Sequence, residues 1–187
     1  HVTGVQTCAL PIFLSENFYS FKSGFYDVHC TLVKKISKIC DQLSVRSLIH
    51  FSAIGAEYDS KSRYARTKWL GEQAALDAFS RTIVIRPSVI FGPEDQFFNK
   101  FANMLKFFPV FPILGCNFKI FLKEYFSKNK INLLKLRGIC FQPVYVGDVA
   151  RAVGKILVDT KKYEGKIIYL GGPTVYTFKE ILQLILT

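Results

Sequence analysis

The chain has 187 residues, half of them hydrophobic, and carries a formal net charge of +11. That length suits one domain, or one domain and part of a second, and so large an apolar share excludes an intrinsically disordered chain. No stretch reaches the roughly 18 uninterrupted apolar residues that a spanning helix needs, so a soluble or peripheral protein is expected.

In chain order, the run VTGVQTCALPI at 2–12 resembles the translation of a common short-read sequencing adapter. Residues 1–12 are therefore expected to be an artefact and the protein to be legible from Phe13. The first residue is His1 rather than a methionine, and Thr187 falls inside an apolar helical pattern with no stop signal, so both ends are expected to be cut. From Thr31 to Leu43 the residues Leu32, Val33, Ile36, Ile39, Cys40 and Leu43 recur at helical spacing with lysines opposite, which predicts an amphipathic helix. SLIHFS at 47–52 is a short apolar run of the kind a buried parallel strand shows. Ser60 or Ser62 can cap a second helix running through Tyr64, Leu70, Ala74, Ala75 and Leu76 to about Phe79. A second strand, TIVIR at 82–86, ends at Pro87. Helices follow from Phe97 to Phe107 and from Val149 to Val158, the latter with Asp148 as its cap. Then come a strand from Lys166 to Leu170, a Gly-Gly-Pro turn, and a last helix opened by the capping box of Thr177 and Glu180. Strands alternating with helices at this spacing predict a parallel sheet covered on both faces, an α/β, Rossmann-like doubly wound fold.

The segment from 107 to 140 breaks the alternation, with prolines at 109 and 112 and then a basic run. It is expected to be an insertion or the start of a small C-terminal lobe. Between Asn117 and Arg137 stand five lysines and one arginine against a single glutamate, so the basicity is concentrated here. No nucleic-acid motif accompanies it, and a solvated basic face is the expected reading. Aromatic and aliphatic residues alternating with lysines over 107–137 leave open a peripheral contact with an anionic membrane surface. The five cysteines form no CxxC pair and no metal spacing, as reduced structural thiols of a cytoplasmic-type compartment would.

Three stretches carry candidate chemistry. Tyr64 and Lys68 form YxxxK, which on a helix puts phenol and ammonium on one face. A tyrosine with a pKa near 10 is a poor base at neutral pH, and a nearby lysine favours the phenolate and can hold a ribose hydroxyl. Ser52 ends the preceding strand, where it can hydrogen-bond a substrate oxygen, and RPSVIFGP at 86–93 leaves the next strand at the same sheet edge. Ligands of doubly wound sheets bind beyond the carboxyl ends of the strands, so the three stretches are expected to converge on one crevice.

SAIGA at 52–56, SRYARTKWLGE at 62–72, RPSVIFGPED at 86–95, QPVYVGDVA at 142–150 and YLGGPTVYTFKE at 169–180 resemble the extended and atypical short-chain dehydrogenases/reductases of the NAD-dependent epimerase/dehydratase type. The similarity runs from about Asp27 onward and is strongest to the NAD(P)H-binding accessory subunits of respiratory complex I and their bacterial relatives. It implies a bound NADP(H) or NAD(H), with NADP preferred, and association with NADH:quinone oxidoreductase or quinone metabolism. By position it implies Ser52, Tyr64 and Lys68 as catalytic-type residues. Ser52, Ala53, Tyr64, Lys68, Pro87, Ser88, Val89 and Ile90 would be the cofactor-binding set. Asp148 matches an acidic helix-start position, and Arg66 is either a pocket residue or a surface charge. Two departures stand out. No GxGxxG or GxxGxxG, the Gly-rich turn that admits the cofactor's pyrophosphate, occurs anywhere in the chain, so the sheet is expected to be truncated at its N-terminal side. The segment 116–140 is also longer than the family's usual connection. Two functions remain open, a cofactor-binding accessory or assembly subunit and an active epimerase, dehydratase or reductase using Tyr64 and Lys68. The expected location is cytoplasmic, with peripheral attachment to the inner respiratory membrane left open.

Overall fold

The computed structural model describes residues 24–95, 97–107 and 140–186. The adapter-like residues 1–12, residues 108–139 of the expected insertion, and with them the basic window, lie outside the described residues. The chain divides into two compact units, one running to Pro87 and joined by Asp148–Leu170, the other made of Ser88–Gly147 and Gly171–Thr187.

The first unit opens on helix α1 (Gly24–Tyr26), which passes through a π-helical turn (Asp27–Thr31) into α2 (Leu32–Gln42). It continues with β1 (Leu48–Phe51), α3 (Arg63–Ala78) and β2 (Thr82–Pro87). Among the described residues β1, β2 and a later strand, β6 (Ile167–Leu170), form one sheet in the order β1-β2-β6, parallel throughout. Alternation along β1 and β2 sends successive side chains to opposite faces. Ile49, Ile83 and Ile85 pack against Val153 and Ile156 of helix α5 (Val146–Val158), with Phe51 beside them. On the other face Leu48 packs against Cys40 of α2 and against Phe79, which ends α3. Helices thus cover both faces, the doubly wound arrangement that the alternation of the sequence predicts. His50 and Ser52 share the parity of Leu48 and therefore face α2 and α3.

Several element ends differ from the expectations for physical reasons. The first helix begins well before Thr31, because the π-turn accommodates one residue too many for an α-helical register and carries the buried His29 and Cys30 inward. Ser62, not Ser60, caps α3, its hydroxyl accepting from the Ala65 amide at 3.4 Å. Helix α5 starts at Val146, so Asp148 is not its cap: it sits exposed in the first turn, where a carboxylate suits the helix dipole, and pairs with Arg151.

The second unit holds two short ladders, β3 (Ile90–Phe91) parallel with β5 (Val144–Tyr145), and β4 (Cys140–Phe141) antiparallel with β7 (Tyr176–Thr177). Two-residue strands leave almost no period to read, and the sequence did not announce them. Helix α4 (Phe97–Phe107) and the last helix, α6 (Phe178–Leu186), flank the antiparallel ladder. Phe141 meets Phe97 and Phe178 with ring centroids 5.9 and 6.0 Å apart. The expected capping box opens α6: the Thr177 amide donates to Glu180 at 2.7 Å and the Glu180 amide to the Thr177 hydroxyl at 3.3 Å.

Candidate functional site

In the first unit the backbone beyond β1 stays paired, the Ser52 amide donating to the Ile85 carbonyl at 2.7 Å and the Ile54 amide to Pro87 at 3.0 Å. These bonds pin Ser52 and Ala53 beside the buried end of β2 at Pro87. Lys68, on the inner face of α3, is almost wholly buried, and its Nζ donates to the Phe51 carbonyl at 3.3 Å. The ammonium therefore rests on the strand residue between His50 and Ser52. The Ser52 Oγ and His50 Nε2 are buried and, among the described residues, have no hydrogen-bond partner. Such orphaned atoms are uncommon in folded proteins; Ser37 and Thr160 carry two more, and those of Ser52 and His50 stand beside Lys68, free to take a further hydrogen bond.

Tyr64 lies one turn before Lys68 and is 43 % exposed as a residue. The Lys68 Nζ is 5.8 Å from the centroid of that ring. This corrects the simple electrostatic expectation. Burial raises the phenol above its ordinary value, and no lowering by the Lys68 ammonium accompanies it. Burial lowers the Lys68 ammonium, an effect that Glu72 partly opposes. Arg86 and Glu72 form a buried pair at 2.8 and 2.5 Å, and Arg86 also donates to the Tyr169 hydroxyl at 2.8 Å. Their bonds to each other raise Arg86 further, so this pair is structural ballast rather than acid–base machinery.

Two histidines that the sequence reading passed over border this ground. His29 hydrogen-bonds Thr67 at 2.9 Å and lies edge-on to Tyr64, centroids 5.4 Å apart. Burial first, and then the charge of Lys68, depress both His29 and His50 to about 4, so both rings are neutral at physiological pH. The only signal for them was that each falls in an otherwise apolar run, which is the ordinary appearance of a core histidine.

Ser88, Val89 and Ile90 belong to the second unit, where they are half-buried, Ile90 pairs with Val144, and the Val89 carbonyl accepts from the Val144 amide at 3.0 Å. Arg66 is exposed on α3. Among the described residues no cluster of metal-ligating side chains occurs, and no helix is long and apolar enough to cross a membrane.

Comparison with known proteins places this geometry. The chain is 31% identical over 155 residues to NADH dehydrogenase [ubiquinone] 1 alpha subcomplex subunit 9, mitochondrial, of Dictyostelium discoideum, covering 82% of this chain and 37% of that protein. The Mus musculus subunit of the same name is 31% identical over 161 residues, with 86% and 37% covered. The chain thus spans little more than a third of the length of these curated relatives. Among solved structures, a dTDP-4-dehydrorhamnose reductase from Clostridium acetobutylicum superposes with a TM-score of 0.64 at 13% identity, over 86% of this chain and 52% of that one. A dTDP-glucose 4,6-dehydratase from Bacillus anthracis, in complex with NAD, gives 0.64 at 17%, over 87% and 52%. These likenesses establish the Rossmann-type fold. The NAD-binding family model described as male sterility protein matches residues 24–134, more than half of the chain, and the chain belongs to that family of short-chain-dehydrogenase-like NAD-binding domains.

Proposed function

We propose that the full-length protein binds NADP(H), in preference to NAD(H), and serves as an accessory or assembly subunit of an NADH:quinone oxidoreductase, peripheral on the respiratory membrane. The observation that carries the binding half is the buried Lys68 ammonium on the Phe51 carbonyl, beside an unpartnered Ser52 hydroxyl. A buried cation donor next to an orphaned hydroxyl fits the paired hydroxyls of a ribose, and Tyr64 adds a phenolic oxygen from the next turn. Ser52, Ala53, Tyr64, Lys68 and Pro87 of the first unit are the residues we assign to the nicotinamide end. The nucleotide would contribute fold stability by binding the native state. The relatives named as subunits of a ubiquinone-reducing NADH dehydrogenase support the partner half.

NADPH and NADH titration of the full-length protein tests the reading. Lys68→Met is expected to weaken binding at least tenfold, since a charged hydrogen bond in a buried site is worth about 1.5–3 kcal/mol. Unchanged affinity in Lys68→Met would sink the assignment of the site. Co-purification with the respiratory complex tests the partner separately.

The alternative is an active NAD(P)-dependent epimerase, dehydratase or reductase, favoured by the joint presence of Ser52, Tyr64 and Lys68. Against Tyr64 as a base stands its raised phenol, which is an acid at neutral pH. Reduction of bound nicotinamide at 340 nm on offering nucleotide sugars, abolished in Tyr64→Phe, would establish this second reading.

A further inference from the structure

Helix α3 is gripped at three successive turns by one residue of the π-helical turn. The His29 ring lies edge-on to Tyr64, its Nδ1 is 2.9 Å from the Thr67 hydroxyl, and its backbone carbonyl faces Gly71 so closely that a Cβ there would sit 1.9 Å from the oxygen. Tyr64, Thr67 and Gly71 follow one stripe of α3, and Lys68 adjoins it. Phe25 closes the cluster, stacked on His29 at 5.4 Å and edge-on to Tyr64 at 6.0 Å. The Thr67 hydroxyl also lies 2.9 and 3.0 Å from the Arg63 and Tyr64 carbonyls, which can only accept. Its single proton is committed to them, so the hydroxyl accepts from His29, and His29 carries its proton on Nδ1. A phenylalanine could fill this space without burying an imidazole, whereas the imidazole ties its element to the turn that bears Tyr64 and Lys68. Single π-turns inside helices recur at functional sites.

We propose that His29 is a positioning residue of the site, holding Tyr64 and Lys68 in place through its Nδ1–H bond to Thr67 and its edge contact with the Tyr64 ring. This rests on the reading of Tyr64 and Lys68 as cofactor-binding residues, and it names the residue that sets their orientation. In this role His29 acts through Tyr64 and Lys68 rather than on the cofactor itself.

The test is a double-mutant cycle on NADPH affinity in the full-length protein, with His29→Phe and Thr67→Val. Each single change is expected to weaken binding about three- to tenfold, the effect of one lost hydrogen bond. The double variant is expected to be no weaker than the poorer single, because both remove the same bond. His29→Asn, whose amide can donate from nearly the same place, should restore most of the affinity. In ¹³Cζ-tyrosine spectra, with Tyr64 assigned from Tyr64→Phe, the Tyr64 resonance should move in His29→Phe and stay put in His29→Asn. If His29→Phe lowers the melting temperature but leaves both affinity and the Tyr64 resonance as in the wild type, His29 is an ordinary core residue and the proposal fails. Wild-type affinity in both Tyr64→Phe and Lys68→Met would refute the underlying site, and the positioning role with it.

Discussion

Glu72 and Arg86 depend on each other because both are buried, and whichever partner is removed leaves a charge in a medium that solvates it poorly. Glu72→Gln is expected to cost about 3–5 kcal/mol of stability, read from urea midpoints. A loss under 1 kcal/mol would mean that water reaches the guanidinium. His29 and His50 make stability depend on pH with a definite sign. Their folded values lie near 4 against an ordinary 6.5, so on acidification the unfolded chain takes up these protons first. Stability they leave intact above pH 6.5 is lost as the pH falls from 6.5 towards 4, and the loss levels off below that. The slope is at most about 1.4 kcal/mol per pH unit for each ring. His50→Asn should flatten the fall in unfolding free energy between pH 7 and pH 5, and an unchanged slope would show that His50 does not contribute. At this scale Ser52, Tyr64 and Lys68 stood out as candidates, since their types and spacing carry chemistry in themselves. His29 and His50 were not, because a lone histidine in an apolar run says nothing of what stands across from it.

Elements were read well where periodicity is long and poorly where it is short. Helix α3, β2, α4 and α6 lie within a residue or two of expectation, and the Thr177–Glu180 capping box forms as its spacing predicts. Thr177→Ala should cost about 1 kcal/mol, seen as faster amide exchange in the first turn of α6. The π-turn was invisible, being a change of register rather than of composition. It sets a sharp requirement on the facing helix: Gly71→Ala would drive a methyl into the His29 carbonyl, and backbone cannot move aside as a flexible side chain does. We expect a loss of about 2–3 kcal/mol or more in the urea midpoint. An alanine tolerated at wild-type stability would mean that the π-turn and α3 stand farther apart than described.

For the whole molecule, the chain carries no Gly-rich pyrophosphate turn and covers little more than a third of the relatives it matches. Residues 13–187 alone are therefore expected to bind NADPH weakly or not at all. Micromolar affinity by isothermal titration would show that the Lys68 site suffices. The parallel α/β class followed from periodicity and cap chemistry, and the family and the candidate triad from the resemblance of its ordered motifs, because these are local properties that survive without coordinates. Tertiary structure alone decided that Lys68 is buried on the Phe51 carbonyl and that Tyr64 packs against His29 and Phe25, where burial pushes its phenol up. It alone revealed that His29 grips α3 and that Ser88, Val89 and Ile90 fold with the second unit rather than with Ser52. Each of these depends on which groups meet across the fold, and so on desolvation and contact, which no linear spacing encodes.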